Sequence, residues 1–148
     1  SELLGFVCDE QEEFHPDHIA LHRKIEPGIT GFADRFLLAR LCINLISNAY
    51  NYGRTGGNIT VSLVQENEKM ILRVADDGIG IAEEYLPKIW ERFYQVDPSR
   101  TADETGSIGL GLSMVKWIAD CHNGTVDVTS EPGRGSVFTF QMEVSRGQ

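Results

Sequence analysis

The sequence predicts an α+β fold, a two-layer sandwich in which helices cover one face of a mixed, mainly antiparallel sheet. Two segments, 35–52 and 110–122, place apolar residues at the three- and four-residue spacing of amphipathic helices. Four segments, near 59–63, 70–74, 125–129 and 136–143, are predicted to be strands. Apolar residues recur at every second position in the first two, at Ile59, Val61 and Leu63 and at Met70, Leu72 and Val74. Helices on one face of such a sheet would bury both apolar surfaces.

The elements before residue 60 are predicted with unequal clarity. Residues 1–13 are compatible with the end of an incoming helix, and Ile19, Leu21 and Ile25 indicate a strand with one apolar face. Residues 27–31 break this pattern, and Asp34 is a plausible N-cap. The helix that follows carries one apolar stripe, made of Leu37, Leu38, Leu41, Leu45 and Ala49.

The second half of the chain has clearer punctuation. Residues 66–69 predict a hairpin turn between the two alternating strands. Residues 83–93 indicate a short helix interrupted by proline, and the polar, glycine-bearing stretch 95–108 a loop. Asn123 and Gly124 form the stop signal of the next helix, and residues 131–135 predict the turn between the last two strands.

Composition excludes several classes of protein. The chain has 148 residues, which suits one domain, and a net charge of −9 argues against nucleic-acid binding. Its three cysteines are far apart, so neither a disulfide framework nor a zinc site is expected, and a cytoplasmic location is the default. There is no membrane-spanning run or signal peptide, and we expect the chain to be an excised piece whose parent could be anchored in the inner membrane.

Three asparagines lie on one face of the first long helix. Asn44, Asn48 and Asn51 are four and three residues apart, so their amides border the apolar stripe. Amide oxygens at that border would suit Mg²⁺ together with substrate phosphates, and they would equally suit hydrogen bonds to neighbouring loops or water. Taken alone, this stripe favours the second interpretation.

Two glycine-bearing segments are also candidates for ligand binding. Residues 74–81 end a predicted strand with two acids and two glycines, a pattern equally typical of a β-turn. Residues 106–113 form a glycine-rich loop that leads directly into a helix, where free amides and the helix dipole form an anion site without a lysine. The P-loop pattern fails because its lysine is absent, and the dinucleotide fingerprint fails because no strand precedes the loop.

Together and in this order, these segments resemble the catalytic domain of histidine kinases in the GHKL superfamily of ATP-binding folds. The similar stretches are an N box at 44–52, a first glycine box at 76–80, an F box at 89–94, a second glycine box at 106–113 and a closing strand-turn-strand at 132–138. The likeness runs from about residue 34 to 140, within a single predicted domain of residues 1–148. Residues 1–30 would then lead in from a missing dimerisation domain.

The resemblance implies a role for each matching position. Asp76 would accept a hydrogen bond from the adenine amino group, and Asn48, assisted by Asn44, would bind Mg²⁺ and act in catalysis. The remaining ATP-binding positions that it implies are Asn51, Tyr52, Gly78, Gly80, Ile81, Phe93, Arg100, Gly106, Ile108, Gly109, Leu110, Gly111 and Leu112. Asn51 stands where the family often has a phosphate-contacting lysine, and Arg92 or Arg100 is the candidate substitute. Residues 95–108 would form the lid over ATP.

The implied function is transfer of the γ-phosphate of Mg·ATP to a histidine on a separate dimerisation domain, and from there to a response regulator. Three alternatives stay open: a GHKL ATPase, a serine kinase of the anti-sigma-factor type, and a degenerate binding module. The ATPases use a glutamate where this chain has Asn44, and an amide is a poor general base. The isolated domain is expected to be a monomer.

The remaining notable side chains are expected outside the site. Trp90 and Trp117 are predicted to be core aromatics, and the three cysteines to be buried small apolar groups. None of the four histidines matches the family's acceptor, so all four are interpreted as surface residues.

Overall fold

The computed structural model describes residues 2–14, 20–26, 35–52, 57–81, 83–90 and 111–143, and the statements below concern these ranges. In chain order the elements are α1 Glu2–Phe14, β1 Ala20–Ile25, α2 Arg35–Tyr52, β2 Asn58–Glu66, β3 Lys69–Asp76, a 3₁₀ helix Glu83–Lys88, α3 Gly111–Cys121, β4 Thr125–Glu131 and β5 Gly135–Glu143.

The five strands form one sheet in the order β1-β2-β3-β5-β4. Strand β1 pairs in parallel with β2, and every other pairing is antiparallel. The alternation read from the sequence sets the register, because a slip by one residue would turn each strand's apolar side chains away from the core. The predicted mixed, mainly antiparallel sheet is confirmed.

The core lies between one face of this sheet and the three α-helices. Alternate residues of the central strands are buried on that face, and α2 packs against β2, β3, α1 and α3. The largest fully buried side chains include Phe138 and Phe140 of β5 and Leu41, Leu45 and Ile46 of α2. Helix α1 adds Leu4, Val7 and Cys8 to the same cluster. The predicted two-layer sandwich with helices on one face is therefore confirmed.

Helix α3 ends in a Schellman motif at the predicted stop signal. Asn123 takes up the left-handed conformation, with a φ of 55°. The amide of Gly124 donates a hydrogen bond to the carbonyl of Ala119 at 2.9 Å, and the amide of Asn123 donates one to the carbonyl of Asp120 at 3.1 Å. These two bonds satisfy carbonyls that the last turn leaves without helical partners. The chain then enters β4 directly.

Two expectations about single side chains are wrong, and one predicted helix ends earlier than expected. The short, proline-interrupted helix predicted at 83–93 is a 3₁₀ helix that ends at Lys88, and residues 91–93 lie outside the described residues. Pro87 has no amide hydrogen to give to the preceding turn. Trp117 is 53% exposed rather than a core aromatic, whereas Trp90 packs edge-on against Phe138 with ring centroids 5.9 Å apart. Cys121 is exposed, whereas Cys8 and Cys42 are buried as expected.

No helix in the described ranges is both long and apolar enough to cross a membrane.

Candidate functional site

Asp76 is a buried carboxylate at the end of β3. Among the described residues it is one of only two buried polar side chains; the other, Ser136, is its partner in the ladder between β3 and β5. The amide of Gly78 donates to Asp76 Oδ1 at 2.9 Å, which turns the chain out of the strand. An acid 9% exposed at a strand end departs from ordinary packing, since buried acids are rare unless they are paired.

Burial raises the pKa of Asp76 from its ordinary 3.8 to about 6. Removal from water disfavours the charged form, while the amide of Gly78 opposes this effect by donating to the carboxylate. The negative charge of Asp77 adds a smaller increase to the pKa, and the amide of Ser136 adds a smaller decrease. At neutral pH the group is mostly ionised and accepts hydrogen bonds, so it would suit a ligand that donates one.

The neighbouring acid, Asp77, ties the end of β3 to the start of β2. Asp77 Oδ1 accepts from the amide of Asn58 at 2.8 Å, and Oδ2 accepts from the side-chain Nδ2 of Asn58 at 3.1 Å. The Oδ1 of Asn58 lies 2.8 Å from Nε2 of His22 on β1. An amide oxygen only accepts, so Nε2 of His22 is the donor in this contact. The two acids thus have different roles. Asp77 binds Asn58 at the start of β2, whereas Asp76 is buried in the interior.

The loop after β3 is interlocked with the turn between β4 and β5. Gly80 has a φ of 72°, and a Cβ added there would lie 2.0 Å from the carbonyl oxygen of Glu131. The amide of Gly133 donates to the carbonyl of Ile79 at 2.8 Å. A Cβ at Gly135 would lie 1.9 Å from the carbonyl oxygen of Asp76. Glycine is therefore required at positions 80 and 135, because backbone passes against backbone at both.

The side chain of Ser130 joins the same two segments. Its Oγ accepts from the amide of Ile81 at 2.6 Å and donates to the carbonyl of Gly135 at 2.9 Å. It also lies 2.8 Å from Oγ of Ser136. The loop that begins at Asp76 is thus held at Ile79 by the turn between β4 and β5, and at Ile81 by Ser130 of β4, which is 49 residues later in the chain.

Two of the three asparagines of α2, Asn44 and Asn48, lie where the spacing predicts. Asn44 and Asn48 are half-buried beside the fully buried Leu41 and Leu45, so they border the core. Helix α2 packs on β3 and on α3, whose first residue is Gly111. These three elements carry the N box, the first glycine box and the end of the second glycine box.

The structure describes only some of the remaining predicted site residues. Asn51 and Tyr52 form the last turn of α2, but their side chains are not described. Leu112 is half-buried against the core. The predicted lid and seven further residues lie outside the described residues: Arg92, Phe93, Arg100, Gly106, Ile108, Gly109 and Leu110.

The acids, cysteines and histidines of the described ranges form no group of three that could hold a metal ion. A site built by the protein alone from carboxylate and imidazole ligands is therefore absent from this part of the chain. The half-buried amides of Asn44 and Asn48 fit the other way of holding Mg²⁺, in which few protein oxygens supplement the phosphates of a nucleotide.

The residues that hold the loop after Asp76 in place were not predicted from the sequence. Asn58, Ser130 and Ser136 were not singled out, although Ser136 lies within the recognised closing segment. Asn58 is 19 residues from its partner Asp77, and Ser130 is 49 residues from its partner Ile81. A signal was present in the glycines at 133 and 135, which indicate a tight turn but not what the turn contacts.

Comparison with known proteins places this geometry in a family. Residues 33–146 match the family described as histidine kinase-, DNA gyrase B-, and HSP90-like ATPases. The chain is 36% identical over 147 residues to the sensor histidine kinase RppB of Synechocystis sp., covering 96% of this chain and 32% of RppB. The chain spans about a third or less of the length of the curated relatives it matches.

Solved structures agree with the sequence comparison. The catalytic domain of the histidine kinase ThkA has a TM-score of 0.80 at 26% identity, with 97% of this chain and 91% of that chain covered. Full-length ShkA in complex with AMPPNP has a TM-score of 0.82 at 26% identity, covering 97% of this chain and 30% of that one. The chain therefore belongs to the family of histidine kinase-, DNA gyrase B- and HSP90-like ATPases, as the ATP-binding catalytic domain of a sensor histidine kinase.

Proposed function

We propose that this domain binds Mg·ATP and donates its γ-phosphate to a histidine on a separate dimerisation domain of the same parent protein. A response regulator would then receive the phosphoryl group. The observation that carries the proposal is Asp76, a buried acid at a strand end whose loop is held rigid by distant parts of the chain. Family membership supports ATP binding, and transfer to a histidine is supported by relatives that are named sensor or sensor-like histidine kinases.

Adenine recognition rests on the chemistry of Asp76. Its carboxylate accepts a hydrogen bond from the amide of Gly78 through Oδ1, and it can accept further hydrogen bonds. The adenine amino group is a donor, so it would satisfy the acid and favour its charged form. The guanine carbonyl at the equivalent position is an acceptor and would leave two acceptors facing each other. The structure of ShkA with AMPPNP supports an adenine nucleotide as the ligand.

The remaining roles follow from the elements around Asp76. Asn48 and Asn44 would hold Mg²⁺, which neutralises phosphate charge when bound. Gly78, Gly80 and Ile81 would line the base, with Asn51 and Tyr52 near the nucleotide. The N-terminal end of α3, at Gly111 and Leu112, would face the phosphates with its free amides. The proposed ATP-binding set is completed by Phe93, Arg100, Gly106, Ile108, Gly109 and Leu110.

Catalysis in this proposal is mainly positioning. The domain holds the γ-phosphate in place and offsets its charge, and the attacking histidine comes from outside the chain. An amide at Asn44 in place of a glutamate gives water no general base there, so transfer to a histidine is favoured over hydrolysis. The parent protein would carry this domain in the cytoplasm.

A calorimetric titration with a non-hydrolysable ATP analogue tests the proposal. It is run with and without Mg²⁺ on the wild type, Asp76→Asn and Asn48→Ala. We expect magnesium-dependent binding by the wild type, loss of binding in Asp76→Asn, and loss of the magnesium dependence in Asn48→Ala. A matched control is Asp127→Asn, which neutralises an exposed acid on β4. Equal binding by Asp76→Asn and the wild type would refute the assignment of Asp76.

A further inference from the structure

Ser130 occupies one row of side chains with Asp76 across the sheet. Ser130 pairs with Ser136 between β4 and β5, and Ser136 pairs with Asp76 between β5 and β3. Residues directly opposite in antiparallel strands point to the same face, so the two hydroxyls and the carboxylate form a polar row. The residue before Ser130, Thr129, is exposed on the other face of the sheet.

The hydrogen bonds of Ser130 fix the direction of the neighbouring hydroxyl. A serine hydroxyl has one proton to donate and two lone pairs that accept. The carbonyl of Gly135 can only accept, so the proton of Ser130 goes there, at 2.9 Å. The lone pairs of Ser130 then accept from the amide of Ile81 and from the hydroxyl of Ser136, at 2.6 and 2.8 Å. With all three contacts made, Ser136 has already donated its proton and offers only lone pairs to other partners.

We propose that Ser130 is a positioning residue for nucleotide binding and for the preference for adenine. It holds Ile81, and with it the loop after Asp76, against the turn at 131–135. It also leaves Ser136 as an acceptor beside the carboxylate of Asp76. Two adjacent acceptors favour a ligand amino group over a ligand carbonyl. This inference rests on the proposed function, in which Asp76 receives the amino group of adenine.

Removing the hydroxyl has two consequences for the site. In Ser130→Ala the amide of Ile81 loses its acceptor in a half-buried position, so the loop after Asp76 is released at that residue. The hydroxyl of Ser136 loses its acceptor as well and becomes able to donate towards the base. The first change weakens binding of any nucleotide, and the second reduces discrimination between adenine and guanine.

The experiment compares affinities for Mg·ATP and Mg·GTP by calorimetry in the wild type, Ser130→Ala, Ser130→Thr and Thr129→Ala. We expect Ser130→Ala to bind ATP about tenfold more weakly and to have a smaller ratio of ATP to GTP affinity. Ser130→Thr keeps a hydroxyl on a strand that tolerates a β-branched residue, so it should restore both values. Thr129→Ala removes an exposed hydroxyl from the same strand and should match the wild type.

Hydrogen exchange of the Ile81 amide gives a readout that does not depend on the nucleotide. The amide should exchange slowly in the wild type and in Ser130→Thr, and much faster in Ser130→Ala. Fast exchange in the wild type would overturn the proposal even if Ser130→Ala failed to fold. If the wild type binds ATP and Ser130→Ala has the same affinity and the same selectivity, the role of Ser130 is refuted and the proposed function stands. No ATP binding by the wild type would overturn the proposed function, and this one with it.

Discussion

Gly80→Ala should destabilise the domain far more than Gly133→Ala, although both glycines have a positive φ. The φ angles are 72° and 79°, so the conformational penalty of a side chain is nearly the same at the two positions. For alanine in this left-handed region that penalty is about 1–2 kcal/mol. The surroundings differ: a Cβ at Gly133 has nothing within 4 Å, whereas a Cβ at Gly80 lies 2.0 Å from the carbonyl oxygen of Glu131.

The contact at Gly80 sets the size of the difference. An ordinary separation is about 3.5 Å, so the loop and the turn must move apart by about 1.5 Å. Movement of that size breaks the bond from the amide of Gly133 to Ile79 and the bond from the amide of Ile81 to Ser130. Each contributes about 1 kcal/mol net. We therefore expect Gly80→Ala to lower the free energy of unfolding by about 3–4 kcal/mol, against about 1–2 kcal/mol for Gly133→Ala.

Equilibrium unfolding in urea measures both variants against the wild type. Circular dichroism and tryptophan fluorescence should give coincident transitions, which justifies treating the unfolding as two-state. Gly80→Ala should also lose affinity for ATP, because the moved loop includes the residues after Asp76. If the two variants differ by less than about 0.5 kcal/mol, the turn yields freely and the interlocking of the two segments is not rigid.

Three further predictions concern charge, helix termination and the exposed tryptophan. Because the pKa of Asp76 is raised to about 6 in the folded state, protonation stabilises the fold below about pH 4, and this contribution of about 3 kcal/mol is lost as pH rises through 6. Asp76→Asn should therefore unfold at higher urea than the wild type at pH 7.5, with the difference disappearing near pH 4; a constant difference would contradict the assigned pKa. Asn123→Ala should lower the thermal midpoint because alanine at a φ of 55° costs about 1 kcal/mol, whereas Asn123→Gly should leave the midpoint equal or higher; equal midpoints for both would show that the helix end is not held in this conformation. Trp117→Gln should change the free energy of unfolding by less than about 0.5 kcal/mol, since the side chain is exposed and outside the core, while acrylamide quenching should fall with the loss of that ring; a large destabilisation would mean that the ring is packed.

The fold was predictable because its apolar pattern is locally consistent. Ile59, Val61 and Leu63 alternate in the sequence and are all buried on one face of β2. The position of Asp76 could also be predicted, since a strand pattern runs directly into it. The family followed from the order of the motifs, which together distinguish an ATP-binding domain from a set of ordinary turns.

The errors arose where residue type was given more weight than position. In α3 the buried residues are Val115, Ile118 and Ala119, which share one face at three- and four-residue spacing. Trp117 lies off that stripe, and helix periodicity alone would have placed it outside. Cys121 is the last residue of the helix, at the edge of the stripe. The supporting bonds of Asn58 and Ser130 were beyond prediction for a different reason, because their partners come together only when separate strands pair.

The placement of the three cysteines gives the chain a natural site for chemical labelling. Cys8 is fully buried, and burial raises the pKa of Cys42 to about 12, which keeps its thiol protonated and unreactive. Cys121, at the end of α3, is exposed. A maleimide dye should therefore attach at one position of the native sequence without any engineered substitution. Such a dye would sit at the far end of the helix whose first residue belongs to the second glycine box, where its emission would report nucleotide binding or docking of a partner domain.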